Sequence, residues 1–203
     1  MIGVIDYGLG NVQAFLNIYK RLNIPAVAIH TAAELVAAER LILPGVGAFD
    51  WAMERLDVSG LRETLDEMVV EKKRAILGVC VGMQMLALDS EEGQLRGLGW
   101  IPAHVKRFDE RRFTQKTHLP HMGWNDVAPR ESAGLFHDLK DPRFYFLHSF
   151  YFVPENSEHV LATTDYYGEF VSSVRAKHVF GTQFHPEKSH HWGTQLLKNF
   201  AEL

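Results

Sequence analysis

One cysteine, Cys80, stands in the whole 203-residue chain. No internal disulfide can form, and a reducing cytoplasm is the expected setting. Basic charge is scarce too. Lys and Arg number 21 against 25 Asp and Glu, a formal net charge of -4. A chain with no basic excess lacks the footprint of a nucleic-acid binder, so no nucleic-acid partner is expected. Long apolar runs are missing. The longest, around residues 75–88, is broken by Gly78, Gly82 and Gln84. That is short of the ~20 apolar residues a membrane span needs, so no membrane association is expected. The leading MIGVIDYGLG has no positive lead and carries Asp6 within its first apolar stretch, unlike a signal peptide. Repeats, linkers and low-complexity tracts are absent as well. What is present is a 46% hydrophobic composition, enough for one core and a single domain over residues 1–203.

The first half alternates strand and helix signals. Short apolar runs at 2–6, 25–30, 40–44 and 75–79 read as strands. Between them, Val12, Phe15, Leu16, Tyr19 and Leu22 recur at helical spacing. Thr31 and Glu34 have the spacing of a capping box. Helical pattern also fills about 48–56 and 60–73. Such alternation predicts an α/β fold with a doubly wound, mostly parallel sheet and helices on both faces. The second half reads as strands at 100–108, 119–127, 143–152, 159–166, 170–175 and 178–184, then a helix at 192–200. A more antiparallel C-terminal half follows.

Cys80 lies in GVCVGMQ, residues 78–84, after a strand and before a helix-like stretch. That is the pattern of a nucleophile elbow with sulfur in place of oxygen. A tight strand-to-helix turn lifts the nucleophile into a cleft and strains its backbone. Strand and helix then approach so closely that positions two before and two after must be glycine, here Gly78 and Gly82. A following helix N-terminus would favour the thiolate, and the Val81 amide would face a developing oxyanion. A buried structural thiol is the competing reading.

A thiolate nucleophile needs a base, and the base an orienter. GTQFHPEKS, residues 181–189, offers His185 and Glu187 two apart. In extended chain that spacing puts both on one face. A surface turn at His-Pro-Glu is the alternative. The grouping of His185, Glu187, His190 and His191 raises a metal site, but adjacent histidines chelate poorly from one face, and His118 and His121 are split by Pro120. No metal and no cofactor are expected. PGVGAF, residues 44–49, follows a strand at the carboxyl edge of the sheet, where open α/β folds place their sites. Its Gly45 and Gly47 let backbone amides face a ligand; an ordinary Pro-Gly turn is the plainer reading.

Taken together, IDYGLGN, PGVGAF, GVCVGMQ, LPHMGWN, YFLHSF and GTQFHPEKS span nearly the whole chain. The set resembles the class I (triad) glutamine amidotransferases, and among them the glutaminase subunits of imidazole glycerol phosphate synthase. The resemblance implies Cys80 as nucleophile, His185 as acid and base, and Glu187 as its orienter. Val46, Gly47 and Val81 would hold the oxyanion. Gly47, Gln84 and the backbone of Ser149 and Phe150 would bind glutamine. Asn11, Met122, Trp124, Asn125, Tyr145 and Lys188 would face a partner. That partner would be a (β/α)8 cyclase that uses the ammonia to form imidazole glycerol phosphate and an aminoimidazole carboxamide ribonucleotide, in histidine biosynthesis.

Departures from the pattern are Phe150, where tyrosine is usual, Val81 for leucine, and His190-His191-Trp192 after the Lys-Ser pair. Residues 13–24 and KSHHWG also resemble paralogues that feed sugar amidotransferases of surface-polysaccharide synthesis. A non-catalytic regulatory subunit is a third possibility, which an intact triad opposes.

Overall fold

The computed structural model describes residues 1–112 and 119–203; His118 lies outside them. Its first half follows the predicted alternation: β1 (Ile2–Ile5), α1 (Val12–Arg21), β2 (Ala26–Ile29), α2 (Ala32–Ala37), β3 (Arg40–Gly45), α3 (Phe49–Val58), α4 (Arg62–Asp66) and β4 (Ala75–Cys80). Each helix has a local cause. Asn11 caps α1 by accepting from the Ala14 amide at 3.1 Å, and Phe15, Ile18 and Tyr19 form its buried stripe. Thr31 and Glu34 form the capping box of α2. The helix expected over 60–73 is shorter, because α4 passes at Glu67–Glu71 into one wider π turn.

Beyond Cys80 come α5 (Val81–Gln84), β5 (Asp89–Ser90), β6 (Ala103–Arg107), β7 (His121–Asp126), β8 (Ala128–Pro129), β9 (Arg143–His148), β10 (Phe150–Pro154), β11 (Val160–Asp165), β12 (Glu169–Ala176), β13 (Val179–Thr182) and α6 (His190–Glu202). The large sheet runs β2-β1-β3-β4-β13-β12-β10-β6-β5, with β11 and β8 joined beside β12. Strands β1 to β4 and β13 are parallel to one another, whereas β12 runs antiparallel to β13 and β10, and β10 antiparallel to β6, which is parallel to β5 at the edge. The fold is thus α/β with a mostly parallel core and an antiparallel second half. The parallel strands β1, β3 and β4 are almost wholly buried, as strands covered on both faces must be.

One expectation fails instructively. Residues 143–152 read as a single strand, but the chain breaks at Ser149. β9 leaves the large sheet and pairs with β7 in a separate two-stranded sheet, while β10 pairs with β6 and β12. The bend is held locally: His148 Nδ1 donates to the Phe150 carbonyl at 2.8 Å.

Candidate active site

Three neighbouring parallel strands end at one edge of the sheet, and the site forms there. In β3 and β4, Gly45 is in register with Cys80; in β13 and β4, Thr182 is in register with Val79. The loop after β3, the cysteine at the tip of β4 and the segment after β13 therefore converge. This is the carboxyl edge at which open α/β sheets bind ligands.

Cys80 has φ 56° and ψ -114°, a conformation that L residues rarely adopt. Such strain costs about 1–3 kcal/mol and persists only where the surroundings enforce it. The enforcement is visible. A Cβ on Gly82 would stand 1.9 Å from the Leu43 carbonyl oxygen, and one on Gly78 would stand 2.5 Å from the Gly82 oxygen. Both glycines are needed for close approach, as the motif suggested. The helix after the thiol is shorter than expected: α5 is a single turn, Val81–Gln84. A helix dipole of that length contributes little, so activation of the sulfur falls to its side-chain neighbours.

His185 and Glu187 do meet, though not on an extended strand. Residues Pro186–Lys188 form a 3₁₀ turn with proline at its start, which folds Glu187 back beneath the imidazole. The Nδ1–H of His185 donates to Glu187 Oε1 at 2.8 Å, with both side chains almost wholly buried. Burial alone would lower the His185 pKa. The charge of Cys80 and a hydrogen bond to it, then the hydrogen bond and charge of Glu187, outweigh that, and the pKa is raised to about 10. With Nδ1 engaged by Glu187, Nε2 is the nitrogen left for sulfur.

Cys80 and His185 open on one cavity of about 290 Å³. Its wall brings together Val46, Gly47, Val81, Gln84, Ser149 and Phe150, all singled out in the sequence, together with Lys188. Glu187 stands behind His185. Gly47 has φ +84° and follows the end of β3. The β3 end is itself pinned, because the Tyr7 hydroxyl donates to the Pro44 carbonyl at 2.7 Å. Burial, and secondarily the charge of Cys80, raises the Tyr7 pKa and keeps that hydroxyl protonated.

Other supporting residues escaped the sequence reading. Glu92 lines the cavity and accepts from the Phe49 amide at 2.9 Å. Gln183 donates to Cys80 Sγ at 3.9 Å, and Ser189 ties His185 to β9 by donating to the His185 carbonyl at 2.6 Å and accepting from the Tyr145 amide at 3.0 Å. Gln183 and Ser189 lie inside the quoted motif, so their proximity was a usable signal. Glu92 carried none. A larger groove of about 1030 Å³ lies elsewhere, bounded by Val69, Trp100, Arg175 and Val179, but no cysteine, serine or threonine lines it.

The outward face of the β7–β9 sheet is apolar and aromatic. Met122 pairs with Leu147 and Trp124 with Tyr145 across the strands, and Met122 is 65% exposed. Trp124 stacks on His190 at 5.2 Å, and Lys188 Nζ lies 5.9 Å from the Tyr145 ring centre. Asn125 departs from the expectation that groups it with Met122 and Trp124. The strand pleat turns it to the other face, where its amide donates to His121 Nε2 at 3.3 Å and to the Asp165 carbonyl at 2.9 Å. Asn11 is exposed on the loop after β1, with its side-chain oxygen engaged in capping α1. Among the described residues, no group of three His, Cys, Asp or Glu side chains converges as a metal site, and no helix is long and apolar enough to cross a membrane.

Comparison with known proteins decides the family. The profile of class I glutamine amidotransferases matches residues 4–203. The chain belongs to the class I glutamine amidotransferase family. Among its relatives, a Bdellovibrio bacteriovorus protein named imidazole glycerol phosphate synthase subunit HisH is 55% identical, over the full length of both chains. Leptospira borgpetersenii and Pseudomonas aeruginosa have relatives named subunit HisH and subunit HisH 2, each 48% identical over the whole of both chains. A crystal structure of a glutamine amidotransferase superimposes with a TM-score of 0.75 at 23% identity, covering 99% of this chain and 97% of the other. The PurLQS structure from Thermotoga maritima gives 0.68 at 16%, again covering 99% and 97%. These two share the fold. This chain is accordingly a glutamine amidotransferase.

Proposed function

We propose that this amidotransferase is a glutaminase subunit working through Cys80, His185 and Glu187. The observation that carries the reading is the strained Cys80 sharing a cavity with a His185 imidazole held at 2.8 Å by Glu187. The sulfur of Cys80 attacks the side-chain amide carbon of glutamine. Charge on the carbonyl oxygen is met by the Val81 amide and by the Val46–Gly47 peptide; one such donor is typically worth ~3–4 kcal/mol of transition-state stabilisation. His185 Nε2 gives its proton to the departing nitrogen as the carbon–nitrogen bond breaks. Ammonia leaves and a γ-glutamyl thioester remains. Water then loses a proton to His185, attacks the thioester and releases glutamate and the Cys80 sulfur.

The wall supports recognition of an amino acid. Glu92 supplies a carboxylate and Lys188 an ammonium group at the same cavity, one counter-charge for each end of a zwitterion. Gln84, Gly47 and the backbone of Ser149 and Phe150 surround the remainder.

Ammonia passes, in this reading, to a (β/α)8 cyclase in the cytoplasm, yielding imidazole glycerol phosphate and an aminoimidazole carboxamide ribonucleotide. Relatives named as imidazole glycerol phosphate synthase subunits support that acceptor. The exposed Met122, Leu147 and Trp124 and the half-buried Tyr145, with Lys188 and Asn11, offer a face for it. Three measurements test the proposal. Cys80→Ala and His185→Asn each abolish glutamine hydrolysis, and a diazo-ketone analogue of glutamine alkylates Cys80. Affinity capture with the intact chain recovers a cyclase and raises its low basal glutaminase rate. Failure of labelling sinks the mechanism; recovery of a sugar amidotransferase replaces the acceptor.

A further inference from the structure

Two buried imidazoles stand beside the cavity without any part in the chemistry above. His121 and His148 face each other directly across β7 and β9. His148 lines the cavity, and both rings are almost wholly buried. Their hydrogen bonds admit one consistent proton arrangement. The Phe150 carbonyl can only accept, so His148 carries its proton on Nδ1 and donates at 2.8 Å. His148 Nε2 is then an acceptor, and His121 Nδ1–H donates to it at 3.0 Å. That leaves His121 Nε2 to accept from Asn125 Nδ2 at 3.3 Å. Asn125 cannot flip without loss, because its oxygen accepts from the Asp126 amide at 2.8 Å and its second amide hydrogen goes to the Asp165 carbonyl at 2.9 Å.

Hydrogen bonding continues past Phe150, with the donor direction reversed. The same carbonyl accepts from Gln84 Nε2 at 3.2 Å, and Gln84 Nε2 also donates to Gln183 Oε1 at 3.1 Å. Both amide hydrogens of Gln84 are thus spent inside the protein. Only its oxygen is left for the cavity that Gln84 lines. Gln183 in turn donates to Cys80 Sγ at 3.9 Å. Hydrogen bonds connect Asn125 to the sulfur, with two donor runs meeting at the Phe150 carbonyl, one ending in His148 and the other starting at Gln84.

We propose that His121 and His148 are positioning residues. Through the Phe150 carbonyl they hold Gln84 with its amide oxygen toward the ligand, so that the pocket selects an amino acid presenting an N–H donor there. This inference rests on the glutaminase reading for the identity of the ligand, not for the proton order. Burial lowers the His121 pKa to about 4 and the His148 pKa to about 3, in keeping with two neutral rings. The effect is expected in ligand affinity and not in the reactivity of sulfur.

Nitrogen-15 NMR of the intact chain at pH 7 reads the tautomers directly, with no need for activity. Both imidazoles are expected neutral and protonated on Nδ1; a proton on Nε2 of either ring overturns the proposal. Saturation labelling of Cys80 by the diazo-ketone glutamine analogue reads the consequence. His148→Phe lacks the Nδ1 donor and is expected to raise the half-saturating concentration about tenfold, with the maximal labelling rate within threefold. His148→Asn places an amide N–H near the former Nδ1 and is expected to recover wild-type half-saturation within threefold. Equal losses in the two variants, or a fall in the maximal rate alone, refute positioning. His121→Phe, which keeps the stacking on Phe146, gives the same half-saturation effect by a second route should His148→Phe fold poorly. A wild-type chain that resists labelling fails the glutaminase reading instead, and the tautomer spectrum still judges the relay.

Discussion

Replacing Gly82 by alanine tests whether the elbow geometry has the origin assigned to it. The added Cβ would sit 1.9 Å from the Leu43 carbonyl oxygen, 3.0 Å from its carbon and 3.3 Å from the Pro44 carbonyl carbon. All three are backbone atoms of β3, so no rotamer change relieves the clash. Ordinary contact begins at 3.4 Å. The gap is therefore 3.4 - 1.9 = 1.5 Å, which the end of β3 and the turn of α5 must supply between them. Overpacking of this kind costs about 1–3 kcal/mol. For a chain of 203 residues that lowers the melting temperature by roughly 2–12 °C. The functional cost is larger, because the same movement displaces the Val46–Gly47 peptide relative to Cys80. A misplacement of ~1 Å can cost on the order of 10²-fold in rate. Calorimetry and glutamine hydrolysis of Gly82→Ala measure the two. Gly60→Ala is the control: nothing lies within 4 Å of its new Cβ, so only the φ of +72° is penalised, at about 1–2 kcal/mol. Its hydrolysis rate is expected to be that of the wild type. A Gly82→Ala chain with wild-type melting and turnover would refute the close-approach account of the motif.

Strain at position 80 predicts an inverted order of stabilities: Cys80→Gly should be more stable than Cys80→Ala in urea, although glycine is elsewhere the worse by about 0.5–1 kcal/mol. The ordinary order would mean that the φ of 56° is not costly. Glu187→Gln keeps the shape but removes the charge that holds His185, and is expected to lower the hydrolysis rate on the order of 10²–10⁴-fold; a rate within threefold of wild type contradicts its role. Because the His185 pKa is raised from 6.5 to about 10, its charged form favours folding: that contribution is complete below pH 6.5 and is lost as pH rises through about 10. Cys80→Ala removes the charged neighbour, so its urea midpoint should fall less between pH 6.5 and 10 than that of the wild type. Thr31→Ala breaks the capping box of α2 and should cost about 0.5–2 kcal/mol in the same assay without altering hydrolysis.

The parallel half was legible because its strands obey local rules. Runs such as RLILP, bounded by Pro and Gly, stand out in any window, and Thr31 with Glu34 marks a helix start by itself. The elbow was legible for the same reason, since Gly78, Cys80 and Gly82 report one tight turn. What escaped was set by partners distant in sequence. Residues 143–152 are mostly apolar and aromatic, and the competing claims of β7 and β6 divide them at Ser149. Pairing of His185 with Glu187 was foreseen, but its means was not, because a 3₁₀ turn after His185 depends on Pro186 starting the turn and on Ser189 closing it against β9. Glu92 belongs to a loop whose place beside Phe49 no pattern announces. The inward turn of Asn125 follows from the pleat of a strand whose register is fixed only by β9.

The break at Ser149 makes β7 and β9 a ribbon whose two sides serve different masters. Its inner row, His121, His148 and Asn125, is bound by hydrogen bonds that tolerate few substitutes. Its outer row, Met122, Leu147, Trp124 and Tyr145, is bound by none of them. Side chains on the outer row can be rewritten while the inner one stands. If that outer row is the face proposed for the acceptor enzyme, a lineage acquiring a new acceptor would need to repaint one small surface, leaving the thiol and its surroundings as inherited.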